Sequence, residues 1–174
     1  LRTKQLIGAE ALARWTDETL GIVSPMKFIP VIERSRIIFP FTKMTIEKSI
    51  AFIAENRWRF PADFKISINI SQNIFNWLRV DLVDIFTAAL EKYNCPASSV
   101  EIEITESAYF SKRNTPKVLS TLQQLKAIGI SVAIDDFGSG YGALTLITNN
   151  IASTIKVDRE LTSRILDRSI DSTF

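Results

Sequence analysis

The sequence lacks histidine entirely over its 174 residues. This absence excludes Ser/His/Asp triads, zinc sites with histidine ligands and imidazole as a general base. Any hydrolysis must therefore depend on carboxylates, amides and lysine. Oxygen ligands of this kind suit hard cations, so the composition favours Mg²⁺ or Mn²⁺ as the metal class.

Cysteine and long apolar runs are scarce as well. The single cysteine, Cys95, excludes a disulfide framework and favours a reducing compartment. No apolar run approaches the roughly 18 residues of a membrane span, and the first residues have no signal-peptide character. We therefore expect a cytoplasmic segment without membrane contact of its own, either free or as the cytoplasmic domain of a membrane-anchored parent.

An excess of charge is also missing, because the formal net charge is only +2. The lysines and arginines are scattered and not interleaved with aromatic residues, so no nucleic-acid partner is indicated. The length fits one domain that can bury a sizeable core.

The most unusual stretch that is present joins an apolar run to two carboxylates. Residues 130–134 are apolar or small, and Asp135 and Asp136 follow directly. Glycines then fill three of the five positions 138–142. One interpretation is a strand-to-loop junction capped by aspartate. The other is a metal or phosphate site at the carboxyl end of a parallel strand. The stretch by itself leaves both open.

Strand and helix patterns alternate along the chain. Period-two patterns or short apolar runs predict strands over residues 5–15, 65–71, 100–105, 130–134 and 153–158. Amphipathic patterns predict helices over residues 25–34, 41–56, 79–93, 116–128 and 159–166, while residues 16–23 are predicted to be a polar connection. This alternation predicts an α/β fold with parallel strands joined by right-handed crossovers.

All five predicted strands carry polar residues near their carboxyl ends, and in a barrel these would converge on one mouth. Because a buried glutamate is costly unless paired, Glu10 is either a metal ligand or the partner of a nearby arginine such as Arg14. The set consists of Glu10, Asn69, Glu103, Asp135 with Asp136, and Lys156 with Asp158.

Taken together, five short motifs resemble the EAL domain family, whose members are cyclic di-GMP phosphodiesterases on a modified TIM barrel. The motifs are EAL at residues 10–12, NIS at 69–71, EITE at 103–106, DDFGSG at 135–140 and KVD at 156–158. The resemblance covers essentially the whole chain, and its specificity comes from the combination of motifs.

The resemblance implies a role for each motif residue. The implied metal ligands are Glu10, Asn69, Glu103, Asp135 and Asp136. Lys156 is similar to the family lysine that contacts the nucleophilic water, and Glu106 to the glutamate that steadies the loop at residues 137–144; both are implied catalytic residues together with Glu10 and Asp136. Arg14 is similar to the arginine that holds a substrate phosphate, with Leu12 and Asp158 as further substrate-binding positions.

The resemblance also sets the expected architecture. EAL domains run longer at both ends, with one strand before the EAL motif and further strands after KVD. We therefore expect residues 1–174 to form a single EAL domain truncated at both ends. The expected fold is α/β, a TIM-like (β/α) barrel of the EAL type, incomplete because its first strand and last strands are missing.

The expected function is hydrolysis of cyclic di-GMP to linear pGpG by two-metal-ion catalysis with Mg²⁺ or Mn²⁺, and Ca²⁺ is expected to inhibit. The expected partners are cyclic di-GMP, a second copy in a homodimer, and regulatory or sensor domains of the parent protein. The alternative is a catalytically inactive EAL module that acts as a cyclic di-GMP sensor or protein-interaction domain. An unrelated TIM-barrel hydrolase acting on a sugar phosphate would explain the carboxylates but not the combination of motifs.

Overall fold

The computed structural model describes residues 5–76, 81–105, 115–137, 143–159 and 162–163. Its seven strands are β1 (Gly8–Ala11), β2 (Trp15–Asp17), β3 (Gly21–Val23), β4 (Lys65–Asn69), β5 (Val100–Thr105), β6 (Ser131–Phe137) and β7 (Thr154–Val157). Its five α-helices are α1 (Pro25–Glu33), α2 (Ile38–Asn56), α3 (Leu82–Lys92), α4 (Thr115–Ala127) and α5 (Ala143–Thr148).

Five of these strands form one parallel sheet in the order β1-β4-β5-β6-β7. Each strand pairs with the one beside it in a parallel register, for example Glu10 with Ser67 and Asn69 with Glu103. The sheet curls into half of a barrel. The predicted α/β fold with an incomplete TIM-like barrel is therefore confirmed.

Alternation along the strands separates an apolar face from a polar one. Ile68, Ile102 and Ile134 are fully buried and belong to the core that the sheet shares with the helices. The intervening side chains on β4 and β5, among them Ser67 and Glu103, face the other side of the sheet. Polar groups therefore collect on the concave side.

The first predicted strand is shorter than expected. The prediction of one strand over residues 5–15 was wrong because β1 ends at Ala11, and an antiparallel hairpin of β2 and β3 replaces the predicted polar connection. The carboxylate of Asp17 accepts hydrogen bonds from the backbone N–H groups of Thr19 and Leu20, and Gly21 has a φ of 68°. This local turn chemistry folds the chain back on itself.

The helices agree with the predictions to within a few residues, except at α5 and near the end of the chain. Helix α5 was not predicted, and most of the helix predicted over residues 159–166 lies outside the described residues. None of the helices in the described ranges combines the length and hydropathy that a membrane span requires.

Candidate functional site

The carboxyl ends of β1 and β4 bring Glu10 and Asn69 together. The side-chain amide of Asn69 donates a hydrogen bond of 2.7 Å to Oε1 of Glu10. Both side chains are exposed at this end of the sheet. Because parallel strands end at the same edge, residues 59 positions apart in the chain become direct neighbours.

Glu103 lies beside them on β5 and is almost completely buried, with 1% of its surface exposed. Its Oε1 accepts a hydrogen bond from the ammonium group of Lys156 on β7. Its Oε2 has no hydrogen-bond partner among the described residues. A buried carboxylate oxygen without a donor is costly, so this atom marks a position where a cationic group would be favoured.

Lys156 is the cation nearest to these carboxylates in the described part of the chain. Its Nζ lies 3.9 Å from Oε2 of Glu10 in addition to its contact with Glu103. Partial burial of the ammonium lowers the pKa of Lys156, but the hydrogen bond to Glu103 and attraction to Glu103, Glu10 and Asp135 outweigh it and raise the pKa above its ordinary value. Lys156 is therefore held in its charged form.

Asp135 and Asp136 lie where the pairing of β6 with β7 becomes irregular, between Ile134 and Phe137. Asp136 has a φ of 54°, an unusual conformation for a residue other than glycine. Partial burial, together with repulsion from Asp135 and Asp158, raises the pKa of Asp136. The irregularity lets two adjacent aspartates share the site despite the alternation of a regular strand.

Arg14 and Leu12 follow β1 and line a cleft of about 480 Å³ together with Asn69 and Glu103. The guanidinium of Arg14 donates to the backbone carbonyl of Ala13. Among the described residues, the ion-pair partner of Glu10 is Lys156 and not Arg14. The sequence had left both a ligand role and an arginine partner open for Glu10; the structure gives it Lys156 as an ion-pair partner, and the ligand role stays a prediction.

Asp158, the last residue of the KVD motif, follows β7. Its backbone N–H donates to the carbonyl of Phe137 at 3.3 Å, and its carboxylate is close enough to Asp136 to affect the pKa of that group. Glu106 and positions 138–142 of the predicted loop at residues 137–144 lie outside the described residues. The structure thus brings together nine of the ten predicted site residues around one edge of the sheet.

The side-chain atoms that could bind a metal here suit a hard cation. They are only carboxylate and amide oxygens, and Glu103 contributes a buried oxygen that lacks a donor. In the part of the chain that the structure describes, no three acidic or cysteine side chains are close enough together to hold a metal ion as they stand. The positive charge at Glu103 is supplied by Lys156.

A second set of polar residues, to which the sequence assigned no role, lies next to the first set, nearer the amino ends of the strands. Ser67, Glu101 and Thr154 each precede a site residue by two positions, on β4, β5 and β7 respectively. The hydroxyl of Ser67 donates to Oε1 of Glu101 at 3.2 Å, and the hydroxyl of Thr154 donates to Oε2 at 2.8 Å. Alternation in VEIEIT placed Glu101 on the face of Glu103, but no sequence signal pointed to Thr154.

Comparison with known proteins identifies relatives of the whole chain. The EAL domain family profile matches residues 1–174. The bifunctional diguanylate cyclase/cyclic di-GMP phosphodiesterase MucR of Pseudomonas aeruginosa is 30% identical over 167 residues, which cover 96% of this chain and 24% of MucR. The chain spans about a quarter of the length of the first curated relatives that it matches.

Two solved structures are similar in fold and sequence. The MucR phosphodiesterase in complex with c-di-GMP superimposes with a TM-score of 0.82 at 30% identity, covering 94% of this chain and 64% of that one. The EAL enzyme Bd1971, with cAMP and cyclic-di-GMP bound, gives a TM-score of 0.83 at 30% identity and covers 95% of this chain and 45% of that one.

Proposed function

The chain belongs to the EAL domain family, and from this premise we propose that it is a cyclic di-GMP phosphodiesterase domain that produces linear pGpG. The proposal depends above all on the buried carboxylate of Glu103. Lys156 contacts one of its oxygens, and the other oxygen has no hydrogen-bond donor among the described residues. Glu10 and Asn69 lie next to Glu103 at the same edge of the sheet.

We assign the metal-binding role to Glu10, Asn69, Glu103, Asp135 and Asp136, with Mg²⁺ or Mn²⁺ as the ions. When bound, two such ions would lower the pKa of a water and neutralise charge that develops on the phosphodiester. Asn69 offers a neutral amide oxygen, which adds a ligand without adding negative charge to a site that must accept an anion.

Arg14 is the residue that would hold the substrate phosphate. Its guanidinium can donate two parallel hydrogen bonds to a phosphate, and it lines the cleft that also contains Leu12 and Asn69. Leu12 and Asp158 would bind other parts of the nucleotide. The cleft volume of about 480 Å³ falls in the range of small-molecule sites.

Lys156 would orient the attacking water by donating a hydrogen bond to it. Its raised pKa keeps its Nζ protonated, so Lys156 acts as a donor and not as a base. Hydrolysis forms one P–O bond to the water oxygen and breaks one ester P–O bond. The ester oxygen leaves with a proton as the free hydroxyl of pGpG, and the new terminal phosphate carries the water oxygen.

We further propose a homodimer, a cytoplasmic location, and control by regulatory or sensor domains of a longer parent protein. The share of the relatives' length that the chain covers supports the last point. Glu106 and the loop at residues 137–144 would couple dimerisation to metal binding. Ca²⁺ is expected to inhibit because it accepts more ligands in a looser geometry than Mg²⁺ does.

The test uses the full-length parent protein with cyclic di-GMP and Mg²⁺ or Mn²⁺, and chromatography to detect linear pGpG. We expect metal-dependent turnover in the wild type and its loss in Glu10→Ala. Glu55→Ala is the matched control, because Glu55 is an exposed glutamate on α2, away from the site.

The outcomes separate the two functional classes. Turnover that requires metal and Glu10 but not Glu55 supports the phosphodiesterase. Tight binding of cyclic di-GMP without turnover, and without a metal requirement in calorimetry, would replace it with the sensor function.

A further inference from the structure

Two rows of polar residues cross the concave face of the sheet in parallel. The upper row contains Asn69, Glu103 and Lys156, and the lower row contains Ser67, Glu101 and Thr154, each two positions earlier on the same strand. Glu101 is buried, with 7% of its surface exposed, and both of its oxygens accept hydrogen bonds from hydroxyl groups. We call Ser67, Glu101 and Thr154 the lower row.

A buried carboxyl group is a costly choice at this position. Even when both oxygens are hydrogen-bonded, a buried polar network is often no more stable than well-packed apolar side chains. Stability alone therefore does not explain Glu101. What the carboxyl group supplies, and an apolar side chain would not, is a directional link between specific strands.

The link between Glu101 and Thr154 joins strands that are not neighbours. Strand β6 lies between β5 and β7, and the small side chain of Ala133 is fully buried there, paired with Glu103 on one side and Thr154 on the other. The contact between Glu103 and Lys156 also crosses β6. A methyl group at position 133 leaves room for both contacts.

Thr154 and Lys156 are placed differently in the pairing of β7 with β6. Regular pairing of β6 with β7 covers Ala133 with Thr154 and Ile134 with Ile155, an irregularity follows, and pairing resumes at Phe137 with Val157. Lys156 lies within the irregular part. The hydrogen bond from Thr154 to Glu101 is a side-chain attachment of β7 to β5, two positions before the one that Lys156 makes to Glu103.

The contact of Ser67 with Glu101 joins neighbouring strands, unlike that of Thr154. Ser67 also donates to Glu101, but the two residues pair directly in a regular ladder. Backbone hydrogen bonds hold β4 against β5 on both sides of this pair. Loss of the Ser67 hydroxyl should therefore leave the upper row in place.

We propose that Glu101 is a positioning residue that acts through Thr154, holding β7 so that the ammonium of Lys156 lies on the carboxylate of Glu103. The kinetic part of this inference rests on the proposed function, since it assigns Lys156 to the attacking water. Its structural part, the position of Lys156, does not.

The test compares Thr154→Val with Ser67→Ala in the full-length protein. Both variants remove one hydroxyl that donates to Glu101, and valine is nearly isosteric with threonine and suits a strand. We expect Thr154→Val to lower kcat about tenfold with KM unchanged, because small misplacements of a catalytic group have large effects on rate. Ser67→Ala should change kcat less than about twofold, and Thr154→Ser should restore it.

A second measurement does not depend on activity. In metal-free protein, the side-chain ¹H–¹⁵N signal of Lys156, assigned by its loss in Lys156→Met, reports the contact with Glu103. We expect Thr154→Val to shift or broaden this signal and to speed amide exchange in β7, whereas Ser67→Ala leaves both unchanged.

Each result decides the proposal. Equal losses of kcat in Thr154→Val and Ser67→Ala would overturn it in favour of general loosening of the sheet, and so would an unchanged Lys156 signal in Thr154→Val. If the wild type shows no hydrolysis, the proposed function fails, and the lysine signal and the β7 amides alone decide whether Glu101 positions Lys156.

Discussion

The ammonium of Lys156 on β7 donates a hydrogen bond to the carboxylate of Glu103 on β5, across the intervening strand β6. The side chain of Glu103 is fully buried, while that of Lys156 is one-third exposed. A buried carboxylate thus depends on one cation that reaches it from a strand with which its own strand does not pair.

Lys156→Met is expected to destabilise the metal-free protein by about 2 kcal/mol, because it leaves the carboxylate of Glu103 buried without its cation. Urea unfolding in the presence of a chelator measures the loss. The double variant Lys156→Met/Glu103→Gln should recover part of it, since the glutamine carries no charge that needs a partner.

Lys65→Met is the control for this prediction. Lys65 is also half-buried on the concave face, but its ammonium donates to the neutral hydroxyl of Ser131 at 2.7 Å. The expected loss is about 1 kcal/mol or less. Similar losses in Lys65→Met and Lys156→Met would contradict the importance of the buried charge.

Gly8→Ala is expected to disturb the attachment of β1. A Cβ at position 8 would lie 2.8 Å from the backbone oxygen of Lys65, its partner in β4, so the two strands must separate. Strain of this kind costs about 1–3 kcal/mol and would move Glu10, two residues later, away from Asn69. Thermal or urea unfolding gives the stability, and metal titration tests whether the proposed ligand Glu10 is displaced.

Gly21→Ala serves as the comparison for Gly8→Ala. Gly21 has a φ of 68°, but a Cβ added there would meet no other atom within 4 Å, so alanine brings backbone strain without a clash. That strain costs about 1 kcal/mol. The hairpin of β2 and β3 carries no assigned site residue. A loss of metal affinity in Gly21→Ala as large as in Gly8→Ala would argue against the clash with Lys65 as the cause.

Cys95 should react slowly in the folded protein. The thiol is buried, and burial raises its pKa, an effect that the nearby Arg57 only partly offsets. Because the thiolate is the reactive form, alkylation by iodoacetamide near pH 8 should be roughly 100-fold slower than in the chain unfolded in urea.

The raised pKa of Cys95 also sets the sign of a stability change. The unfolded chain loses the thiol proton first, so the contribution of Cys95 is complete below its ordinary pKa of about 8.5 and is lost as the pH rises through the folded pKa. Cys95→Ala should remove this part of the decline, which begins near the ordinary thiol pKa of about 8.5. A decline that is the same in both proteins would exclude Cys95 as its source.

Arg14→Lys is expected to weaken substrate binding while leaving the chemistry intact. Lysine keeps the charge at the cleft but loses the paired donors of the guanidinium, so KM for cyclic di-GMP should rise about tenfold with kcat nearly unchanged. Arg59→Lys is the control, because Arg59 is exposed and stacks on Trp58 at the end of α2, away from the cleft. An unchanged KM in Arg14→Lys would remove Arg14 from the phosphate site.

The sequence alone determined the fold class and named the candidate residues of the site. Alternation in KISIN and VEIEIT fixes which side chains face the helices, because successive residues of a strand point to opposite faces. The missing histidine restricts the site to oxygen ligands and lysine, and the motifs place these residues at strand ends. The turn at Asp17 and Gly21 also depends on local residues. The strands on either side of it are too short to show a hydrophobic pattern, so the hairpin was not predicted.

Only the tertiary structure decided which partners the site residues take. Glu10 meets Asn69 and Lys156 instead of Arg14, and Glu101 meets Thr154 across a strand that separates them. Such contacts depend on strand order, on the register of each pair and on the small side chain of Ala133. Strand order and register are set by the packing of the whole sheet, so they cannot be predicted from a local pattern of residues.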